Sequence, residues 1–178
     1  KEFFEACSWS HLADWENELS EFYEASKKMM GVTSNPRLEN GDKALKDLAK
    51  EIGKEDQFEP TDVAVFFGEP GKNVSDPYFN GEGPERAGCT FCGACMIGCR
   101  HNAKNTLDKN YLYLAQKNGA VIQAESEVYN IIPLGNKNGA DGYEVGWKRA
   151  TSFLKFKGKF TCKGIVFAGG VLGTIPLL

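Results

Sequence analysis

Four cysteines within one short segment constrain this chain more than any other feature of its sequence. The segment has the spacing C-x2-C-x2-C-x3-C and contains Cys89, Cys92, Cys95 and Cys99. A disulfide-stabilised secreted domain spreads its cysteines along the chain, because a disulfide that closes a short loop gains little. The clustering therefore predicts a reducing compartment, with cytoplasmic localisation, and a site that holds a metal or a cluster.

The chemistry of these cysteines has several alternatives at the level of sequence. Thiolates at this spacing can converge on a 4Fe-4S cubane, and the small Gly93 and Ala94 allow the backbone to wrap around it. However, Arg100 follows the last cysteine where ferredoxins usually carry proline, and the chain has no second cysteine run. A tetrahedral zinc site, two short-range disulfides and four free thiols under a loop are the alternatives. We expect the four cysteines to share one local site whichever of these applies.

The hydrophobic pattern predicts a mixed α/β (α+β) fragment with helices first and strands later. Helical spacing of the apolar residues from Trp15 to Ser26 predicts a helix that ends at Gly31. A second helix is predicted over residues 42–52, with Asp42 as the N-cap and the apolar residues facing inward. A third helix is predicted from residue 105 or 106 to residue 117.

The remaining elements are predicted from β-branched and aromatic runs and from turn residues. The Gly-rich stretch 68–88 is predicted to be an ordered functional loop. A continuous apolar run at 164–168 favours a strand covered on both faces, as in a doubly wound sheet. Strands are predicted over residues 61–67, 120–132, 143–147, 151–156 and 160–168.

Composition and charge exclude several classes of protein. The 178 residues are 42% hydrophobic and 25% charged, which excludes disorder of the whole chain. The net charge of −3 does not favour a nucleic-acid or membrane-surface binder, and no apolar run is long enough to span a bilayer. The sequence starts without Met or a signal-peptide layout and ends on apolar residues, so we interpret it as an internal fragment of a longer chain.

Two blocks around the cysteine run resemble a known enzyme family. The first runs from Asp76 to Pro84 (DPYFNGEGP), and the second, from Gly98 to Leu112, contains the motif NAKNTLD. Together they are similar to the bacterial cholesterol-oxidase-like branch of the glucose–methanol–choline (GMC) FAD-dependent oxidoreductases. The resemblance extends over nearly the whole chain, from the helix that contains Trp15 to the segment 166–174, which resembles a returning strand of the FAD domain.

The resemblance implies an enzyme that transfers hydride from the CH–OH group of a sterol-like or other hydrophobic alcohol to FAD. Residues 1–88 would contribute to the substrate or cap side, and residues 89–178 to the FAD-binding domain. The partners implied are the alcohol and the remaining segments of the parent chain. The residues implied in cofactor binding are Lys104, Asn105, Thr106, Val128, Ala168, Gly169 and Gly170. In this set, Val128 lies where the family holds adenine through strand backbone groups.

Two features of the family have no counterpart in this sequence. A G-x-G-x-x-G motif is missing, and the nearest pattern is Gly169-Gly170-x-x-Gly173. His11 and His101 do not match the family's catalytic pair, so no catalytic residue is assigned and the fragment is expected to be inactive. A ferredoxin-like electron-transfer module built on the cysteine run is the alternative from another class, and a partner-binding domain with structural zinc is a third.

Overall fold

The computed structural model describes residues 3–6, 8–151, 153–154 and 156–178. The chain divides into two compact units, Lys1–Ala120 and Val121–Leu178. The first unit is mainly helices and ordered loops, and the second is built on an antiparallel sheet, so the predicted mixed α/β class is confirmed. The assignment of residues 1–88 and 89–178 to two functional sides stays a prediction.

Two helices open the first unit. Helix α1 spans Trp15–Met30 and ends at Gly31, whose φ of 57° is left-handed, as predicted. Helix α2 spans Asn40–Glu51. Its N-cap is Glu39, and Asp42 lies in the first turn, where its carboxylate accepts a 2.8 Å hydrogen bond from the Glu39 backbone N–H. The prediction of Asp42 as N-cap is therefore wrong, because Asp42 serves as the third-position partner of a capping box.

The apolar face of α2 is exposed, contrary to the prediction that it faces inward. Leu45, Leu48 and Ile52 are 58%, 50% and 61% exposed. Amphipathic spacing determines which face of a helix is apolar, but contact with another element determines whether that face is covered. Nothing among the described residues covers this face.

Short antiparallel pairs order the centre of the first unit. Strand β1 (Thr33–Ser34) pairs with β2 (Asp62–Val63), and β3 (Asn73–Val74) pairs with β4 (Arg86–Ala87). The predicted strand 61–67 is therefore shorter than expected. It continues as a bridge between Val65 and Lys104. The core of this unit consists of Val65, Ala87 and Ala103.

The predicted third helix is divided in two. A 3-10 turn covers Leu107–Lys109, and helix α3 covers Tyr111–Lys117. Asn110 interrupts the helix with φ −130° and ψ −95°, and its side-chain oxygen accepts a 2.6 Å hydrogen bond from the Tyr111 N–H. An asparagine side chain that bonds to nearby backbone competes with helix continuation, so the helix begins after it.

The second unit is a three-stranded antiparallel sheet in the order β5-β6-β7. Its strands are β5 (Ser126–Pro133), β6 (Tyr143–Arg149) and β7 (Lys157–Cys162). The predictions for β5 and β6 are confirmed apart from their ends, whereas β7 shares only residues 160–162 with the predicted strand 160–168. The predicted strand 151–156 is wrong in its described residues, which form the connection between β6 and β7. A 2.9 Å hydrogen bond from the Arg149 N–H to the Phe156 carbonyl closes this connection.

The apolar run at 164–168 does not form the predicted strand. It has no strand partner among the described residues, and Val166 is 91% exposed. β-Branched residues favour an extended backbone, but a strand also requires a neighbour that takes up its hydrogen bonds. The run leads into the short helix α4 (Val171–Thr174). No helix in the described part of the chain is long and apolar enough to cross a membrane.

Candidate cofactor cavity and cysteine pocket

An apolar cavity of the second unit brings together residues that are distant in sequence. It measures about 620 Å³ and lies between the sheet and the segment that follows β7. Three of the residues predicted to bind the cofactor line it: Val128, Ala168 and Gly169. The β5 region and the segment 164–169 therefore border one cavity, although the second segment is not a strand, and their role at the cofactor stays a prediction.

Strand β5 presents a free backbone edge beside this cavity. It lies at one side of the sheet and, among the described strands, pairs only with β6. The register shifts between Val128 and Asn130, since Val128 is opposite Trp147 and Asn130 is opposite Gly146. A bulge of this kind re-aims side chains and increases the local twist of a strand. The unpaired N–H and C=O groups of this edge are therefore available to a ligand.

The glycine pair after the apolar run leaves open space beside the backbone. A Cβ atom built on either Gly169 or Gly170 would meet no heavy atom within 4 Å. Gly170 has a φ of 77°, which is the conformation that glycine adopts without cost. A bulky group can therefore approach this backbone closely.

The other predicted cofactor residues lie in the first unit and make internal hydrogen bonds. The Lys104 ammonium donates to the Cys95 carbonyl at 2.9 Å. The Asn105 amide is buried, and it accepts from Arg86 Nε at 2.7 Å and donates to the Met30 carbonyl at 3.0 Å. The Thr106 hydroxyl donates to the carboxylate of Asp108, not to the end of a helix. The role of these three residues at the cofactor stays a prediction.

Sequence reasoning missed Arg86, whose side chain is 1% exposed. Besides its bond to Asn105, the guanidinium donates to the backbone carbonyls of Glu85 at 3.2 Å and Lys109 at 3.0 Å. It has no carboxylate within ion-pair distance among the described residues. An isolated arginine in a loop gives no periodic signal, so only the contacts reveal that it joins the loop to the segment before α3.

Asp76 organises the loop 68–88. Its carboxylate accepts backbone N–H groups from four residues at 2.8–3.1 Å: Tyr78, Phe79, Gly81 and Gly83. Partial burial raises the pKa of Asp76, but these N–H groups outweigh it and lower the pKa below its ordinary value. The prediction that this loop is ordered is confirmed, and the sequence signal is the Asp-Pro pair followed by closely spaced glycines.

The four clustered cysteines line one cavity of about 20 Å³, together with His101. This is the space of a single water molecule. Two of the sulfurs are held by the backbone: Cys89 Sγ accepts from the Phe91 N–H at 3.3 Å, and Cys99 Sγ accepts from the Ala103 N–H at 3.4 Å. Partial burial raises the pKa of the Cys99 thiol, but the backbone N–H groups around the sulfur outweigh it and lower the pKa.

The geometry of this pocket gives no support to a bound metal. Within the described ranges, no group of three or more histidine, cysteine, aspartate or glutamate side chains is arranged to hold a metal ion. All four cysteines are free thiols. Neither the iron–sulfur module nor structural zinc therefore gains support. The four cysteines do share one local site, as predicted, and we call it the thiol pocket.

Comparison with known proteins decides the family. The sequence profile of the family described as GMC oxidoreductase matches residues 84–178. The chain belongs to the GMC oxidoreductase family. Its sequence is 46% identical over 177 residues to a cholesterol oxidase of Acinetobacter baumannii. The aligned region covers 96% of this chain and 32% of that relative.

A second relative gives the same result. The chain is 44% identical over 187 residues to a cholesterol oxidase of Mycobacterium tuberculosis (strain ATCC 25618 / H37Rv). The aligned region covers 99% of this chain and 31% of that protein. The chain therefore spans about a third of the length of these curated relatives. No solved structure matches it.

Membership of the GMC family implies FAD, and the residues of the second unit fit such a group. The cavity offers apolar walls to an aromatic ring, and the β5 edge offers backbone donors and acceptors. The open glycine pair accepts a bulky polar group without a Cβ in the way. These features suit the adenosine half of a dinucleotide, which needs one apolar slot and a few polar groups to fix its orientation.

Proposed function

We propose that the full-length protein is an FAD-dependent oxidoreductase that acts on the CH–OH group of a sterol-like or other hydrophobic alcohol in the cytoplasm. The substrate class is supported by the names of the relatives, which are cholesterol oxidases. When bound, FAD supplies the hydride acceptor at its N5 atom. The single observation that carries the proposal is the cavity shared by β5 and the segment that ends at Gly169, the residue before Gly170.

The residues of this chain bind and orient the cofactor in this proposal. The backbone at Val128 holds the adenine edge, and the walls of the cavity exclude water from one face of the ring. The backbone at Gly169 and Gly170 approaches the ribose or a phosphate. We assign no catalytic base to residues 1–178, and we expect the other segments of the parent chain to complete the dinucleotide site.

Replacement of one glycine tests the cofactor role of this segment. In the full-length enzyme we expect Gly170→Leu to weaken FAD binding roughly tenfold, which corresponds to about 1.4 kcal/mol. Gly53→Leu is the control, because Gly53 has a similar φ of 70° and open space around its Cβ position but belongs to the first unit and does not line the cavity. Gly158 would be a poor control, since a Cβ there would lie 2.5 Å from the Trp147 ring.

Bound flavin per folded protein is the measurement, taken from the visible flavin absorbance and the far-UV circular dichroism of the same sample. Both variants place a leucine at a positive φ, and normalising flavin to folded protein removes the effect of any loss of fold, so the remaining difference reports on the cofactor site. Equal flavin content in Gly170→Leu and Gly53→Leu would contradict a cofactor role for the glycine pair.

The substrate class requires a separate test. We expect anaerobic mixing of the flavin-loaded enzyme with a 3β-hydroxysterol to bleach the flavin absorbance and to produce the ketone. A short alcohol such as ethanol serves as the control and should leave the absorbance unchanged. Bleaching by the short alcohol alone would exclude a sterol-like substrate while leaving the oxidoreductase assignment intact.

A further inference from the structure

The thiol pocket contains two kinds of cysteine. Cys92 and Cys95 are exposed, whereas Cys89 and Cys99 are half-buried. The half-buried pair is held by the backbone hydrogen bonds to sulfur described above. Among the hydrogen bonds of the described residues, none involves the sulfur of Cys92 or Cys95. The sulfur atoms of the exposed pair are therefore accessible to a reagent in solution, and no hydrogen bond among the described residues holds them in place.

The backbone places the exposed pair around a bend. Cys92 and Cys95 are separated by Gly93 and Ala94, and the chain bends at Gly93, whose φ is 72°. Cys95 then lies in the first turn of a 3-10 helix, Ala94–Ile97. A Cys-x-x-Cys pair in which the chain turns between the two residues is an arrangement that forms a disulfide across four residues. Both residues also line the same water-sized cavity.

We propose that Cys92 and Cys95 form a reversible dithiol–disulfide couple, and that this pair is a redox-modification site of the protein. The oxidant is a small disulfide such as oxidised glutathione.

The exchange proceeds in two balanced steps. The thiolate of Cys92 attacks one sulfur of oxidised glutathione, which forms a mixed disulfide and releases one glutathione thiolate. The thiolate of Cys95 then attacks the Cys92 sulfur of that mixed disulfide, which closes the Cys92–Cys95 bond and releases the second glutathione thiolate. Both protons go to solvent or to the released thiolates. The protein loses two electrons and two protons, and one oxidised glutathione becomes two reduced ones.

The couple is connected to the segment 102–108 through one contact. The carbonyl of Cys95 accepts the hydrogen bond from the Lys104 ammonium. Closing the disulfide fixes the 3-10 turn that carries this carbonyl, so oxidation acts on the position of the Lys104 side chain. All residues of the couple lie in the first unit, and its test measures thiols and not flavin, so its outcome is separate from that of the proposed function.

The test uses the full-length protein equilibrated in buffers of reduced and oxidised glutathione. Free thiols are blocked with N-ethylmaleimide, and the tryptic peptide of residues 87–100 is analysed by mass, because it contains all four clustered cysteines. We expect the reduced protein to carry four labels on this peptide and the oxidised protein to carry two, with fragmentation that places the disulfide between Cys92 and Cys95. Cys162→Ser is the matched control and should leave the transition unchanged.

The single variants assign the pair. In Cys92→Ser and in Cys95→Ser we expect no disulfide within this peptide, while Cys89 and Cys99 stay labelled. Loss of two labels in Cys92→Ser, or four labels at every glutathione ratio in the unmodified protein, would overturn the proposal. Stoichiometric iron with acid-labile sulfide, or stoichiometric zinc, in the protein as isolated would also overturn it, because ligation would then occupy the thiols.

Discussion

Removal of the Asp76 carboxylate should release the loop that it organises. In Asp76→Ala, the backbone N–H groups of Tyr78, Phe79, Gly81 and Gly83 lose their acceptor. A hydrogen bond to a charged group contributes about 1.5–3 kcal/mol. Because each 1.4 kcal/mol is a factor of ten, amide hydrogen exchange in this segment should accelerate roughly 10- to 150-fold.

Hydrogen exchange of the full-length protein, followed by mass spectrometry of the peptides that cover residues 77–83, measures this effect. Asp141→Ala is the control, since among the described residues Asp141 accepts one backbone N–H, from Asn136 at 3.2 Å. We expect the control to leave exchange at 77–83 unchanged. Unaltered exchange at 77–83 in Asp76→Ala would refute the claim that this carboxylate orders the loop.

The difference in amide exchange between Asp76→Ala and the wild type should also depend on pH. The folded protein lowers the pKa of Asp76 below its ordinary value of 3.8. A carboxylate with a lowered folded pKa stabilises the fold above the unfolded value, and this contribution is lost as the pH falls through the folded value. The ratio of exchange rates between variant and wild type should therefore be constant above about pH 4 and shrink below it.

Three further changes have expected outcomes. Arg86→Met should lower the free energy of unfolding by roughly 2–4 kcal/mol, measured by urea denaturation, because the buried Asn105 oxygen and the Lys109 carbonyl lose the Arg86 donors, whereas the Glu85 carbonyl keeps its 2.8 Å bond from the Asn102 amide; a loss below 0.5 kcal/mol would contradict this. Gly31→Ala should destabilise the protein in the same assay, since its Cβ would collide with the Tyr78 ring, whereas Gly119→Ala has open space. The isolated 178-residue chain should not retain FAD, and a stoichiometric flavin spectrum after purification would refute this expectation.

The comparison of sequence and structure separates local from long-range information. Local signals predicted α1 and its end at Gly31, because a helix stripe and a left-handed glycine are properties of adjacent residues. They also predicted β5, β6 and the end of β7. They failed at Asn110 and at 164–168, because a side-chain bond to the backbone and the lack of a strand neighbour are not visible in hydrophobic periodicity.

By itself, the sequence determined the family, the mixed fold class and the sharing of one site by the four cysteines, because motifs and spacing are written in adjacent residues. Only the tertiary structure decided which residues meet. It placed Val128 and Gly169 on one cavity although they are about forty residues apart, and it buried Arg86 against Asn105. It also divided the cysteines into a backbone-held pair and an exposed pair. Burial and hydrogen bonding depend on elements that the chain brings together only when it folds.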